Sequence, residues 1–515
     1  MKRRTLNILL FLCMGCASFA QPTQNLERAM ALLDGTISKC FTTSNMKMYD
    51  LYDTSTHKGS GVADVWPYTA AIEATCSVLE ALDMLKDEAP QLYEENHDRY
   101  VAQLRKLYTN LAYYRGSYLL SSYAQRATWS IYGVHRSDTK GKANVKGIEN
   151  VYDDQMWLAR ELIRAYRLTG DADYLTEATM LADYVLDGWD CCLDADGNEY
   201  GGISWGPGYN SKHSCSNGPI IQPLVWLYEI YSADGMANTY TYRYIDADGN
   251  RMQTKRDRAE VYLEFARKVY DWQKKNLLNK STGVYYDMLG APGEIQYVTI
   301  GHTQFRTHVD TGAPGGTAYT YNTGTMLAGT TELYRITGQQ SYATDITSLC
   351  AKSFNVFTKW VRIDGTRYRQ YPLDEKATSG FNCWFNDVLM RAYVDAAAYE
   401  PSAAAKALDV YQFNLDYAYE NFLSDGFLPI DLLGGWHDDA VTKGFHQLAF
   451  ASEYAMLAVW HQRRFIAESV EHPFVDGAAA PAIYTLGGQR LPVNTTLSDL
   501  PRGIYIVNGR KVTCN

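Results

Sequence analysis

The chain has 515 residues, 46% apolar and 21% charged, so it can bury a sizeable core, and global disorder is excluded. Its 48 basic and 58 acidic side chains give a formal charge of −10 with no basic block, which argues against nucleic acid or an anionic membrane as partner. Aromatic residues make up 13%, including 41 Tyr and 11 Trp, side chains suited to stacking on sugar rings and equally to packing helices.

Residues 1–20 read as a signal peptide. Lys2, Arg3 and Arg4 precede a short apolar run from Ile8 to Leu12, and Ser18-Phe19-Ala20 forms a small-x-small cleavage site before Gln21. Cys16 after Gly15 hints at lipidation, but Cys13 stands where Leu is expected, which favours simple cleavage. An exported protein is expected, periplasmic, surface-bound or secreted, with no later segment apolar enough to span a membrane. Beyond the signal, cysteines at 40, 76, 191, 192, 215, 350, 383 and 514 permit disulfides without the density of a disulfide-built fold. Cys76 and Cys350 sit in helical patterns as apolar residues, and Cys191-Cys192 lacks the second ligand pair of a zinc signature.

From Asn25 to Ala467 apolar residues recur at helical spacing. The pattern predicts helices over Ala70–Leu85, Gln155–Leu168 and Ala172–Leu186. Tyr166-Arg167-Leu168-Thr169-Gly170 returns as Tyr334-Arg335-Ile336-Thr337-Gly338, each followed four residues on by a Tyr, 174 and 342. A repeated helix–glycine turn–helix unit implies stacked hairpins, in a solenoid or a closed toroid. Asp194-Ala195-Asp196-Gly197-Asn198 and Asp246-Ala247-Asp248-Gly249-Asn250 are expected to be tight turns; they lack the later ligands of a calcium loop. After His472 the texture changes to short strands, 483–490 and 503–510, behind a linker at 478–481. The chain thus divides into a signal (1–20), a helical catalytic domain (21–471) and a β-rich tail (472–515).

Two adjacent carboxylates, Asp153 and Asp154, head one of the helices. Asp at a helix start commonly caps it. One Asp suffices for that, however, and two held close repel, which raises one pKa and leaves the other group ionised. A glycosidase needs such a division of labour.

Tyr152-Asp153-Asp154-Gln155, the following Trp157 and Ala-Tyr-Arg-Leu-Thr-Gly-Asp run resemble glycoside hydrolase family 76. So do Gly201-Gly202-Ile203-Ser204-Trp205, Ser216-Asn217-Gly218-Pro219 and Tyr321-Asn322-Thr323-Gly324-Thr325-Met326, in order and spacing through most of 30–465. The resemblance implies an all-α (α/α)6 toroid and retaining α-1,6-mannanase chemistry on α-mannan, with endo action expected. Asp153 would be the nucleophile and Asp154 the general acid/base, with carboxyls roughly 5–5.5 Å apart. This chemistry calls for no cofactor and no metal. The β-rich tail is similar to modules that end many exported Bacteroidetes proteins, and a monomer is expected. Trp205, Asn217, Tyr321, Asn322 and Trp66 are candidate substrate-binding residues; Trp205 equally suits packing, and the two Asn equally suit capping. His213 and His302 are expected to be surface or loop residues. Phe381-Asn382-Cys383-Trp384-Phe385 replaces a Lys-Gly-Ile-Phe type motif, and 120–147 and 290–318 look like long insertions. Transglycosylation, or glycan binding without catalysis, are the alternatives the sequence leaves open.

Overall fold

The computed structural model describes the backbone of residues 2–233, 235–291, 293–437, 440–471, 483–485, 491, 500, 503–507 and 510–514. Side chains of 2–20, 468–471, 503–504, 506–507 and 510–514 lie outside that description, and with them the expected signal peptide and the lipidation question at Cys16. The helical spacing of the sequence is realised as α1 (Lys2–Cys40), α2 (Val65–Leu85), α3 (Pro90–Leu111), α4 (Tyr152–Thr169), α5 (Ala172–Asp187) and α6 (Ile221–Tyr231). These are followed by α7 (Arg258–Leu277), α8 (Thr320–Thr337), α9 (Gln340–Phe357), α10 (Asn382–Ala396), α11 (Pro401–Phe422) and α12 (Gly444–Glu471).

The even-numbered helices form a ring. Each packs on the next, α2 on α4, α4 on α6, and so on to α10 on α12, and α12 returns to α2. The odd-numbered helices back this ring from outside, α3 on α2, α5 on α4, α7 on α6, α9 on α8, α11 on α10 and α1 on α12. This is the expected (α/α)6 toroid. Its inner helices are buried almost all round: every residue of α8 from Thr320 to Leu333 is inaccessible to solvent or nearly so. Among the described residues no helix is long and apolar enough to cross a membrane.

Charge runs through the ring's interior. Glu161 of α4 bonds Arg160 and, at 2.8 Å, Arg164; Arg164 reaches Glu80 of α2 at 2.9 Å. Glu73 of α2 is ion-paired with Arg391 of α10 and accepts, at 2.9 Å, from Trp384 Nε1. Buried charges of both signs satisfy one another here, and removing one partner would strand the other in a dry core. The network fixes the lateral register of α2, α4 and α10.

The repeated turn has one geometry in both copies. Gly170 (φ 73°) and Gly338 (φ 65°) are left-handed, and their N–H groups return to the carbonyls of Tyr166 and Tyr334 at 2.7 and 2.8 Å. Thr169 and Thr337 each accept at Oγ1 from the residue two positions on. Arg167 and Arg335 converge on a single carboxylate, Glu229 of the intervening α6.

Connections out of the inner helices are short at 86–89, 170–171, 338–339 and 397–400; those into them are long, at 41–64, 112–151, 188–220, 278–319, 358–381 and 423–443. The long ones carry antiparallel hairpins, among them Arg115–Ser121 with Arg126–Tyr132, Tyr297–Ile300 with Thr303–Arg306, and Lys359–Ile363 with Thr366–Gln370. The exception is 232–257, where Thr239–Ile245 pairs with Arg251–Asp257 through the turn at 246–250. There and at 194–198 the leading Asp accepts backbone N–H bonds from two and four residues on, so both are Asx-type turns as expected. The seven cysteines described from Cys40 to Cys383 are buried and free. At the end of the chain Ile483–Thr485, Gly503–Val507 and Arg510–Cys514 make a three-stranded antiparallel sheet; the linker at 478–481 lies outside the described residues.

Space is open around Gly170 and Gly338, so Gly170→Ala or Gly338→Ala adds no clash and costs only backbone strain. Each is expected to lose about 1–2 kcal/mol, read as a lower urea midpoint with unchanged m-value.

Candidate active site

The long connections gather at the N-terminal ends of the inner helices. Asp153 and Asp154 stand there in the first turn of α4. The helix starts earlier than its apolar pattern, at Tyr152 with Val151 as its cap, so neither acid is a cap and the first of them does not lie in the loop. Tertiary contacts set that boundary. The Tyr152 N–H donates to the Trp205 carbonyl at 2.8 Å, and its ring lies against Tyr184, 5.0 Å between centroids. Gly188 is required beside it: a Cβ there would stand 2.6 Å from the Tyr152 ring.

Asp153 is held by donors. The Asp154 backbone N–H reaches Oδ1 at 3.0 Å, Trp205 Nε1 reaches Oδ2 at 3.3 Å, and the Cys215 thiol donates to the same carboxylate. Burial pushes Asp153 up to about 6, and these bonds keep it from rising further. Asp154 is 7% exposed, and no donor reaches its carboxyl among the described residues. Burial raises its pKa well above the usual range, and the charges of Asp153 and Asp64 push the same way. The two groups therefore share one proton, with Asp153 the first to ionise and Asp154 the one that keeps it.

Behind Cys215 stands Tyr321, whose hydroxyl lies between that thiol and Asp287. Two aromatic walls flank the acids. Trp66, Phe381 and Phe385 form one, with Trp66–Phe381 centroids at 4.5 Å and Tyr321 stacked on Phe385 at 4.2 Å. Trp205, Tyr209 and His213 form the other, Trp205 lying 4.5 Å from Tyr209 and 4.9 Å from His213. The cleft between them has a volume of about 500 Å³.

Five residues singled out in the sequence line this cleft: Asp153, Asp154, Trp205, Tyr321 and Trp66. Asn217 and Asn322 do not; both are fully buried. Asn217 is a staple. Its Oδ1 accepts from the Ile203 N–H at 2.8 Å and its Nδ2 donates to the carbonyls of Ile203 and His213, so the amide is spent on holding the loop that carries Trp205. Asn322 lies inside α8, capped by Tyr319, and its Nδ2 faces Asp287 Oδ1 at 3.5 Å. Neither caps a helix through its side chain.

The Gly201-Gly202 pair is likewise scaffold. Both are left-handed, and a Cβ on Gly202 would sit 2.3 Å from the Trp272 ring. Beneath them Lys212 pairs with Asp190 at 2.8 Å, and His308 meets the same carboxylate at 2.7 Å. His302 is exposed in the turn of its hairpin. His213, expected as a surface or loop residue, instead lies in the short strand Lys212–His213 and is largely buried in the cleft wall, where loss of solvent lowers its pKa to about 4 and keeps it neutral. Asp287, Tyr209 and the Phe381–Phe385 wall were not evident from the sequence. The segments 120–147 and 290–318 both help build the site: the first brings Val134 and His135 to the cleft, and Arg306 of the second pins the 207–210 loop.

A helical toroid whose mouth holds a half-buried and a buried carboxylate between aromatic walls has the layout of a glycoside hydrolase. The chain belongs to glycosyl hydrolase family 76, whose model matches residues 105–241 and 250–427. Among solved structures, the family 76 mannosidase Bt3792 of Bacteroides thetaiotaomicron VPI-5482 superposes with a TM-score of 0.62 at 20% identity, over 86% of this chain and 100% of its own. The GH76A α-1,6-mannanase of Salegentibacter sp. HEL1_6 gives 0.54 at 20%, over 85% and 99%. An inactive variant of that enzyme, with two consecutive Asp→Asn changes and in complex with α-1,6-mannotriose, gives 0.54 at 19%, over 85% and 99%. Comparison with curated proteins finds no match.

A carboxyl whose pKa is raised by folding favours the fold below its unfolded value, and that advantage is lost as pH rises toward the folded value. Asp154→Asn removes the conflict while keeping the shape. It is expected to raise Tm near neutral pH, with the gain vanishing near pH 4, about the unfolded carboxyl pKa; thermal melts at both pH values test this.

Proposed function

We propose that this chain is a retaining, endo-acting α-1,6-mannanase, with Asp153 as nucleophile and Asp154 as general acid/base. The observation that carries the reading is the divided protonation of two consecutive acids, one furnished with three donors and the other with none. The α-1,6-mannotriose held by the Salegentibacter enzyme supports the substrate class. Aromatic surfaces on both sides of the pair support binding of sugars on either side of the scissile bond, as attack within a chain requires. The charged, apolar and small-residue segments of 1–20 support export to the periplasm or cell surface.

The chemistry follows from the two environments. Asp154 gives its proton to the glycosidic oxygen while the Asp153 carboxylate closes on the anomeric carbon and the carbon–oxygen bond breaks. A mannosyl ester forms on Asp153 with inverted configuration. Asp154, now a carboxylate, takes a proton from water, whose oxygen displaces Asp153 and restores the α configuration. The Trp205 N–H and Cys215 thiol favour the charged form of Asp153 and so favour its release in this second step.

On unbranched α-1,6-mannan the wild type is expected to release manno-oligosaccharides with the α anomer formed first, followed by proton NMR. Asp154→Ala should lower kcat by about 10²–10⁴-fold, and azide should rescue it with an α-mannosyl azide, whereas Asp153→Ala should give the β azide. An initial β product would refute retention, and an inert wild type would refute the substrate.

The profile of kcat/KM against pH is expected to be bell-shaped, falling on the acid side as Asp153 protonates near 6 and on the basic side as Asp154 ionises. Trp205→Phe removes a donor to the charged form, so its acid limb should move to higher pH.

A further inference from the structure

One cluster of ligating side chains lies behind the Phe381 wall and takes no part in this chemistry. Asp374 lies in the 358–381 connection, Cys383 in the first turn of α10 and His446 in the first turn of α12. One ligand atom from each of the three lies within 4.8 Å of the others.

His446 is the anomaly. It is 0% exposed, and neither ring nitrogen has a hydrogen-bond partner. The Gly380 carbonyl lies close enough to favour its protonated form but outside hydrogen-bonding geometry. A buried imidazole without partners is costly, and packing alone would be served better by an apolar side chain. Cys383, beside it, is a buried free thiol.

The third group is anionic and has room. Asp374 Oδ1 accepts from the Phe381 N–H at 3.1 Å, the Asn382 N–H at 3.2 Å and Asn382 Nδ2 at 2.8 Å, but Oδ2 accepts only from the Asn382 N–H, at 2.9 Å. Asp374 also borders a cleft of about 230 Å³ shared with Glu375, Asp431, Trp436 and His437, which gives an entrance and space for water.

We infer that Asp374, Cys383 and His446 form a zinc site, with water from the adjoining cleft as fourth ligand. Thiolate, imidazole and carboxylate together are a donor set for zinc in tetrahedral geometry. Binding releases the thiol proton to solvent and joins a dication to a thiolate and a carboxylate, so the buried site is neutral. That balance matters, because the Lys443 ammonium lies near, 5.2 Å from the Phe381 ring centroid. With one imidazole nitrogen on the metal, the other would be left with its N–H toward the Gly380 carbonyl, the outer hydrogen bond that ligating histidines usually make. The ion would tie the 374–381 segment to α10 and α12 and so fix Phe381 against Trp66.

The test uses the full chain purified under reducing conditions. Metal analysis is expected to find about one zinc per chain after dialysis against zinc. In chelated protein, cobalt(II) is expected to give the intense near-ultraviolet band of a thiolate–cobalt bond. Cys383→Ser should abolish that band. His446→Gln should weaken cobalt binding by more than about 100-fold, since loss of an outer hydrogen bond alone costs 10–100-fold. Zinc should raise the Tm of the wild type and leave both variants unmoved. A wild type that retains no zinc overturns the site without recourse to a variant, and a cobalt–thiolate band that survives in Cys383→Ser overturns it as well.

Discussion

Two carboxyl groups on consecutive residues, one half-buried and one buried, cannot both be charged without a large electrostatic cost. Much of the mouth of this toroid is organised around that conflict. The indole of Trp205 and the thiol of Cys215 serve Asp153 and leave Asp154 unserved. Trp205 in turn depends on the Asn217 staple and on two glycines whose backbone no other residue could adopt beneath Trp272. Asp64 adds its charge on the far side. Several residues of the motifs around the acid pair, Asn217 and the two glycines among them, are therefore supports for the loop whose indole serves Asp153.

The toroid was legible because its signals are local. Apolar spacing gives the helices, and a left-handed glycine with a threonine before it gives the turn, so Gly170 and Gly338 announce the same hairpin twice. The acid pair drew notice because two adjacent Asp exceed what capping requires, and the fold brings both to one cleft. Even so, the start of α4 was misplaced, since Tyr152 is drawn into the helix by Trp205 and Tyr184, contacts distant in sequence. Asn217 and Asn322 stand in motifs and look like ligands for sugar or caps; only the fold shows their amides turned to backbone and to Asp287. Asp287, His213 and the Phe381–Phe385 wall carry no local signature, because each gains its role from a neighbour on another connection.

The connections at the two ends of the ring do different work. The short turns at the far end join helices already packed together. The long connections enter the mouth, where hairpins such as 115–132 and 297–306 pack against one another and are anchored by buried side chains such as Arg306, which bonds Pro207, Tyr209 and Asn210. Length there changes the shape of the cleft and leaves the ring alone.

The pairing of α1 with α12 also dictates when the molecule can finish folding. Arg28 of α1 bonds Tyr454 of α12 at 3.4 Å, more than four hundred residues away, and Asp416 of the adjoining α11 at 2.5 Å, and α12 also completes the inner ring against α2. Until α12 emerges, an arc of hairpins holds apolar flanks on α1 and α2 open to solvent. Closure is thus a late event with a long loop to pay for. A chain released short of α12 would be a sticky open arc, exposed to proteases and to other copies of itself.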